Sequence, residues 1–244
     1  MIAMFRNSLI SIVVVGFSLL PLGTLCAEEV IFNQLNFPPK SIQTADGKFK
    51  GVVFDVMHST LDKMGVPYKT TITPMKRIVA GLKKGTTNLT SLLKSPSLQP
   101  FTWALEPAFT QIRIVVFHQG KKLEIKKKED LIGKNLIMLR GWTYLNIKDY
   151  YESLAKQGKI KLQYADSHEI AFKMLNKGRG DYLLEYWDPS QETLKKMDVP
   201  NLSHNVLMSV DVHVLISKTQ PNAKAFKRRF EKAYQQVLKE KGIH

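Results

Sequence analysis

Cysteine is almost absent from this 244-residue sequence, which contains one, Cys26. A single cysteine forms no internal disulfide and cannot build a site of several thiolates around zinc. Glycine-rich phosphate loops, nucleophile elbows and helical zinc-binding histidine pairs are also missing. The six histidines are scattered along the chain. The sequence therefore shows no motif for catalysis or metal binding, and a hydrophobic core must hold the fold together.

Acidic residues are scarce, with 21 Asp and Glu against 36 Lys and Arg, a formal net charge of +15. Such an excess of cations is found in proteins that bind nucleic acid. The basic runs at 126–128 and 227–229, however, have no interleaved aromatic residues that could stack on bases. We interpret the cations as solvated surface and predict no nucleic-acid partner. Steering of an anionic solute or an acidic membrane partner is the alternative.

Long apolar runs are confined to the N-terminus, where Leu9 to Leu20 is almost wholly apolar and follows Arg6. This pattern predicts a secretory signal peptide at 1–27, cleaved after Ala27, and a periplasmic protein. The run is shorter than the roughly 20 residues of a membrane-spanning helix, although an uncleaved anchor is the alternative. Leu25 before Cys26 argues against a lipoprotein signal. After cleavage the mature chain would contain no cysteine.

Strand and helix patterns alternate along the rest of the chain. Apolar runs predict strands at 30–35, 68–72, 89–93, 112–117, 135–139, 162–164, 182–186 and 206–217. Apolar residues spaced three and four apart predict helices at 54–64, 75–84, 147–154, 170–175 and 223–240. This alternation predicts an α/β architecture with largely parallel sheets.

Several short segments, in chain order, together carry a family resemblance. They are Asn36-Phe37-Pro38-Pro39, Asp46-Gly47, GVVFD at 51–55, Pro74-Met75-Lys76-Arg77, Phe101-x-Trp103 with Pro107, Arg140-Gly141-Trp142-Thr143-Tyr144, Gly178-Arg179-Gly180-Asp181, and 214–217 followed by Pro221-Asn222. In this order they resemble the type II solute-binding proteins of family 3, the polar amino-acid binders of ABC importers. The resemblance covers essentially the whole mature chain.

The resemblance implies a two-lobed, periplasmic-binding-protein-like (type II) α/β fold with two hinge strands, near 111–117 and 206–213. Lobe 1 would comprise 28–113 and 210–244, and lobe 2 would comprise 114–209. A small-molecule solute would bind between the lobes, and their closure would trap it. A membrane permease of an ABC importer, or a receptor, would recognise the closed shape. We expect a monomer that is not an enzyme and needs no cofactor or metal.

The resemblance also implies a set of ligand-binding residues, several of them at the carboxyl ends of strands, where α/β proteins bind ligands. The set is Phe37, Arg77, Lys94, Trp142, Thr143, Tyr144, Glu185 and Tyr186. Phe37 is either an apolar shelf for the solute or a core residue. Thr143 would donate a hydrogen bond to a carboxylate, with Trp142 and Tyr144 as walls. Arg77 either reaches the cleft or, as we favour, has a structural role.

Two departures from the family pattern affect the expected solute. Ser97 or Leu98 stands where the family has the arginine that clamps the ligand carboxylate, and Lys94 would replace it only as a point charge. Tyr186 stands where the family has an acid for the ligand amine. Glu185 is one position away, on the opposite side of the strand. We therefore expect a small polar or anionic solute, such as an organic anion or modified amino acid with an apolar or cationic part.

Two other functions use the same fold. A periplasmic dehydratase would need an acid in the cleft, for which Glu185 is the obvious candidate, whereas a lytic transglycosylase would need a further domain. A sensory binding protein would present its solute to a membrane receptor without transport. The sequence does not separate sensing from import, because both need the same closed state.

Overall fold

The computed structural model describes residues 29–120, 124–142 and 144–243. The predicted signal peptide and Thr143 lie outside these residues. No helix within the described ranges combines the length and the hydrophobicity that a membrane span requires.

Strands form where short apolar runs were predicted, with small shifts at their ends. The strands are β1 (Val30–Gln34), β2 (Ile42–Gln43), β3 (Phe49–Lys50), β4 (Tyr68–Ile72), β5 (Leu89–Leu93), β6 (Thr102–Ala104), β7 (Thr110–Gln119), β8 (Asn135–Leu139), β9 (Lys161–Ala165), β10 (Tyr182–Tyr186) and β11 (Leu202–Ser217). The sequence missed the short strands β2, β3 and β6, which are too brief to show a period. The predicted start of β11, at 206, also lies four residues after its observed start at Leu202.

Helices occupy the segments with periodic apolar residues. They are α1 (Val52–Met64), α2 (Met75–Lys84), α3 (Ile147–Lys156), α4 (His168–Asn176), α5 (Trp187–Leu194) and α6 (Ala223–Glu240). Gly65 and Gly85 end α1 and α2 in the left-handed conformation, as C-terminal glycines commonly do. The sequence missed α5, because its first turn continues directly from β10 and its residues show no clear apolar face.

In the described chain, nine strands form one continuous sheet, in the order β4-β1-β5-β11-β7-β10-β8-β9, with β6 also paired to β11. Parallel pairs occupy the two outer parts of this sheet. The expectation of largely parallel sheets is wrong for the centre, where β11 runs antiparallel to β5, β6 and β7, and β10 to β7. The reason is that β7 and β11 carry the chain out and back across the molecule.

Buried apolar side chains form two large clusters on either side of this central pair. One cluster contains residues between 114 and 199. The other contains residues of 30–109 and 212–238, with a smaller cluster beside it. We use lobe 1 for the part around the second cluster and lobe 2 for the part around the first. Ile112 on β7 packs against both large clusters. The exact lobe boundaries and hinges remain a prediction.

Candidate functional site

A cleft of about 490 Å³ lies between the lobes. This volume falls within the roughly 300–1,000 Å³ of sites that bind small molecules. Lobe 1 contributes Phe37, Lys40, Met75, Ser91 and Leu98 among others, and lobe 2 contributes Gly141, Trp142, Leu145 and Tyr186. Residues Thr110, Ile112 and Val212 of the connecting strands line it as well. The walls therefore come from both lobes.

The lobe 1 wall is a rigid corner after β1. The Phe37 N–H donates to the Ser41 carbonyl at 2.7 Å, and the Ser41 N–H donates to the Phe37 carbonyl at 2.9 Å. The Ser41 hydroxyl also donates to the Leu35 carbonyl at 2.8 Å. The Val53 N–H, at the start of α1, donates to the Lys40 carbonyl at 3.1 Å. These bonds fix the positions of Phe37 and Lys40 at the cleft.

The lobe 2 wall is a tight loop after β8. Gly141, Tyr144 and Leu145 have positive φ angles of 80°, 48° and 55°. Such angles are costly for residues with side chains and persist where the surroundings impose them. Tyr144 is fully buried, and its hydroxyl accepts a hydrogen bond from the Leu139 N–H at 2.8 Å. Tyr144 thus anchors the loop from within lobe 2, and it is not among the described residues that line the cleft.

Aromatic rings meet where the two walls approach each other. The Phe37 ring lies 6.0 Å from the Trp142 ring and 5.5 Å from the Tyr186 ring, both edge to face. Trp142 lies 5.1 Å from Tyr186, which stacks on Tyr144 at 5.2 Å. Edge-to-face and stacked pairs of this kind are attractive beyond the area they bury. The structure thus brings together four of the eight predicted residues.

An ion pair joins the lobes beside these rings. The Lys40 ammonium lies 3.2 Å from the Asp188 carboxylate, and both side chains are mostly buried, 12% and 22% exposed. Lys40 also donates to the Thr110 hydroxyl at 3.0 Å. Sequence reasoning missed both charged residues. The available signals were a lysine directly after the Pro38-Pro39 corner and an acid at the start of the helix that follows β10.

Arg77 and Lys94 lie apart from the other predicted residues, and the structure does not place either in the lining of the cleft. Arg77 is exposed on α2, and its side chain makes no hydrogen bond or ion pair with another described residue. Lys94 is partly exposed and pairs with Glu106 within lobe 1. Neither cation is positioned to replace the missing carboxylate clamp in this conformation.

Glu185 is completely buried in lobe 2, behind the cleft rather than in it. One carboxylate oxygen lies 3.0 Å from Nδ1 of His168, and the other accepts the Tyr186 N–H at 3.1 Å. Burial raises the pKa of the Glu185 carboxyl, and the bonds to His168 and the backbone oppose that rise only in part. Glu185 thus positions His168 and β10, and a role as a cleft acid is not supported by its location.

Glu185 gives a pH-dependent prediction. Because its folded-state pKa exceeds the ordinary value of 4.5, the folded state holds the proton more tightly than the unfolded state, and stability falls as pH rises between the two pKa values. The variant Glu185→Gln has no carboxyl at this position, so its stability does not fall with pH in this way. We expect the unfolding free energy of the variant, relative to wild type, to increase as pH is raised from 4 through the folded pKa in urea titrations.

The exposed Glu169 supplies a control of opposite sign, since a hydrogen bond from Lys173 lowers its pKa. The free energy of unfolding of Glu169→Gln, relative to wild type, should therefore decrease slightly as pH rises. Parallel pH profiles for wild type and Glu185→Gln would contradict the raised pKa of Glu185.

A metal site is not evident in the described ranges, where no group of three or more His, Cys, Asp or Glu side chains could hold a metal ion. Thr143 stays a prediction, because it lies outside the described residues.

No protein-family model matches the chain, and no curated protein matches it in sequence. The fold is nevertheless similar to solved structures. A histidine kinase sensor domain with similarity to periplasmic binding proteins has a TM-score of 0.63 at 15% identity, covering 89% of this chain and 92% of its own. An ancestral arginine-binding protein bound to arginine has 0.60 at 17%, covering 88% and 93%.

The substrate-binding protein of an amino acid ABC transporter has a TM-score of 0.56 at 18% identity, covering 87% of this chain and 94% of its own. At such identities the similarity shows the fold alone. The chain therefore has the two-lobed α/β fold of periplasmic binding proteins.

Proposed function

We propose that this chain is an exported solute-binding protein that traps a small organic solute between its two lobes. The observation that carries this proposal is the cleft itself, whose walls come from both lobes and whose aromatic residues Phe37 and Trp142 touch across it. Contacts that exist only when the lobes are closed favour the closed state when a solute adds to them. Phe37, Trp142 and Tyr186 would contact the solute, with Thr143 beside them.

Binding without chemical change fits the site better than catalysis. No acid is among the described residues that line the cleft. Of the acids nearby, Asp188 is paired with Lys40, and Glu185 is buried behind the wall. Neither carboxylate is positioned to act as a general acid or base on a solute in the cleft. The similar structures are also binding proteins or a sensor domain rather than enzymes, which supports this reading at the level of the fold.

The partner we propose is the membrane permease of an ABC importer, which would dock on the closed protein in the periplasm. A membrane receptor is the second candidate, because the similar structures include a histidine kinase sensor domain. Both partners would recognise the same closed conformation. Solute binding in the cleft is therefore proposed for either partner.

The proposal is tested by a thermal-shift screen followed by small-angle X-ray scattering. Amino acids, organic acids, amines and neutral aromatic compounds are added to the protein purified from cells that express the full chain. A true solute stabilises the folded state by about 2.7 kcal/mol at a hundredfold excess over its dissociation constant. We expect such a solute to reduce the radius of gyration and to be recovered unchanged. No stabilising compound, or one that is consumed, would contradict the proposal.

The ion pair between Lys40 and Asp188 gives a prediction for closure. The variant Asp188→Asn removes the cross-lobe charge attraction and leaves the mostly buried Lys40 with the Thr110 hydroxyl as its remaining partner among the described residues. We expect the dissociation constant of any solute found in the screen to rise about fivefold, the effect of about 1 kcal/mol. Isothermal titration calorimetry measures this change.

The control is Asp46→Asn, which removes an exposed ion pair with Lys48 inside lobe 1. This variant should bind the solute as wild type does. An equal loss of affinity in both variants would mean that the cross-lobe pair has no particular role in closure.

A further inference from the structure

The charges around the cleft are already balanced by the protein. Among the described residues that line the cleft, only Lys40 has a charged side chain. The Asp188 carboxylate lies 3.2 Å from its ammonium and balances the charge. A zwitterionic amino acid would bring two further charges into this space. Burying a charge without a partner is strongly unfavourable. An anionic solute would have to compete with Asp188 for Lys40, and a cationic solute would meet Lys40 itself.

Most polar side chains of the cleft are also bonded to the protein. Gln34 bonds the backbone of Ser91 with both ends of its amide, donating to the carbonyl at 3.2 Å and accepting the N–H at 3.0 Å. The hydroxyls of Ser95 and Ser97 lie 2.8 Å apart and bond each other. As described above, Ser41 and Thr110 have partners too. Within the described part of the chain, the cleft thus offers few free polar groups to a solute that needs many hydrogen bonds.

Ser91 is the exception. It lines the cleft, it is 2% exposed, and its hydroxyl has no hydrogen-bond partner among the described residues. A buried hydroxyl without a partner is unfavourable, and such a group in a native structure calls for a physical reason. A polar group of a bound solute would supply the missing partner.

Apolar side chains form the remainder of the wall. Phe37, Trp142 and Leu145 are only partly buried, and Met75 at the start of α2 is 43% exposed. Large apolar side chains that remain exposed inside a cleft indicate a binding surface. Methionine adapts its shape to a ligand, and aromatic edges and faces suit a flat ring.

From these observations we infer that the cleft takes an uncharged ring compound with one hydroxyl or similar polar group, which bonds Ser91, in preference to a zwitterionic amino acid. This inference rests on the proposed function, since it names the solute class of the same cleft. It replaces the polar or anionic solute that the sequence suggested. The solute lies in the cleft beside the Phe37 and Trp142 rings, which contact each other, and its polar group reaches Ser91 next to Gln34.

The test uses four compounds that share a phenol ring and differ in charge. They are 4-methylphenol, which is neutral, 4-hydroxyphenylacetate, tyramine and tyrosine. Isothermal titration calorimetry with the protein purified from cells expressing the full chain measures each dissociation constant. We expect 4-methylphenol to bind about tenfold more tightly than each charged compound, because it brings no charge to desolvate. Tighter binding of any charged member, or no binding by 4-methylphenol, would overturn the inference.

The role of Ser91 is tested with toluene, which lacks only the hydroxyl of 4-methylphenol. Wild type should bind 4-methylphenol about fivefold more tightly than toluene, a typical effect of one hydrogen bond. In Ser91→Ala this preference should vanish, while the control Ser97→Ala retains it. Because the Ser91 hydroxyl has no partner among the described residues, Ser91→Ala should unfold at a urea concentration no lower than that of wild type. A preference that survives in Ser91→Ala would exclude Ser91 as the anchor.

The screen of the proposed function separates the two possible failures. If amino acids stabilise and compact the protein while 4-methylphenol does not bind, the solute-binding function stands and the inferred solute class is wrong. If nothing in the screen stabilises the protein, the solute-binding function fails together with the inference.

Discussion

Replacing Trp142 with alanine is expected to weaken solute binding by about thirtyfold or more, since a buried aromatic anchor contributes about 2 kcal/mol or more to a binding site. Trp142 lies on the loop after β8 and touches Phe37 of the opposite lobe. Its removal therefore eliminates a wall of the cleft and a contact of the closed state together. Isothermal titration with the compound selected by the screen measures the effect.

Trp103 provides the matched control for this experiment. It is also partly buried, but it lies on β6, away from the cleft, with the ammonium of Lys218 5.9 Å from its ring. Trp103→Ala should lower the midpoint of urea unfolding and leave the solute dissociation constant unchanged. If both tryptophan variants lose affinity equally, or if Trp142→Ala binds as wild type does, the solute does not occupy this cleft.

Replacing Gly51 with alanine is expected to destabilise the protein by about 3 kcal/mol or more, because two separate costs coincide. Gly51 has a φ angle of 106°, which side chains rarely adopt, and a Cβ atom there would lie 2.4 Å from the carbonyl oxygens of Pro39 and Lys40. Those oxygens belong to backbone and cannot rotate away. The corner that carries Phe37 and Lys40 would have to move, so solute affinity should fall as well.

Gly65 is the control for Gly51, because it separates the cost of the backbone angle from the cost of the clash. Its φ angle is 63°, and a Cβ atom there would meet nothing within 4 Å. Gly65→Ala should cost about 1 kcal/mol in urea unfolding and leave solute affinity unchanged. Similar unfolding free energies for the two variants would show that the contact with the corner is unimportant.

The sequence predicted the elements whose packing leaves a regular pattern. The apolar face of α1 and the glycine at 65 located that helix, and seven strands have the predicted bounds or lie within two residues of them, with β4, β5, β8 and β10 exact. The sheet order was less accessible, because pairing between β7 and β11 joins residues about 90 positions apart. Local periodicity carries no information on such distant pairs, so the antiparallel centre of the sheet was not predicted.

The site was predicted only in part, for a related reason. Phe37, Trp142 and Tyr186 stood out as aromatic residues near strand ends, and the structure brings them together. Tyr144 and Glu185 lie on the same loop and strand, but their side chains turn into the core of lobe 2. Which way a side chain turns after a strand depends on the local backbone angles, as the positive φ of Tyr144 illustrates.

The cross-lobe pair of Lys40 and Asp188 was invisible in the sequence because its members are 148 positions apart and neither belongs to a motif of its own. The free hydroxyl of Ser91 was hidden as well, since β5 is a buried strand in which a serine has no distinctive pattern. These polar details determine which solute the cleft accepts, and only the assembled lobes reveal them.

A crystal structure of the protein grown with the compound that gives the largest thermal shift would test most directly whether the two lobes bind a solute between them. We expect electron density for one molecule in the cleft, beside the Phe37 and Trp142 rings, with the lobes closed over it and the Lys40–Asp188 pair intact. Density for the compound elsewhere on the protein, with an empty cleft, would contradict the proposed function.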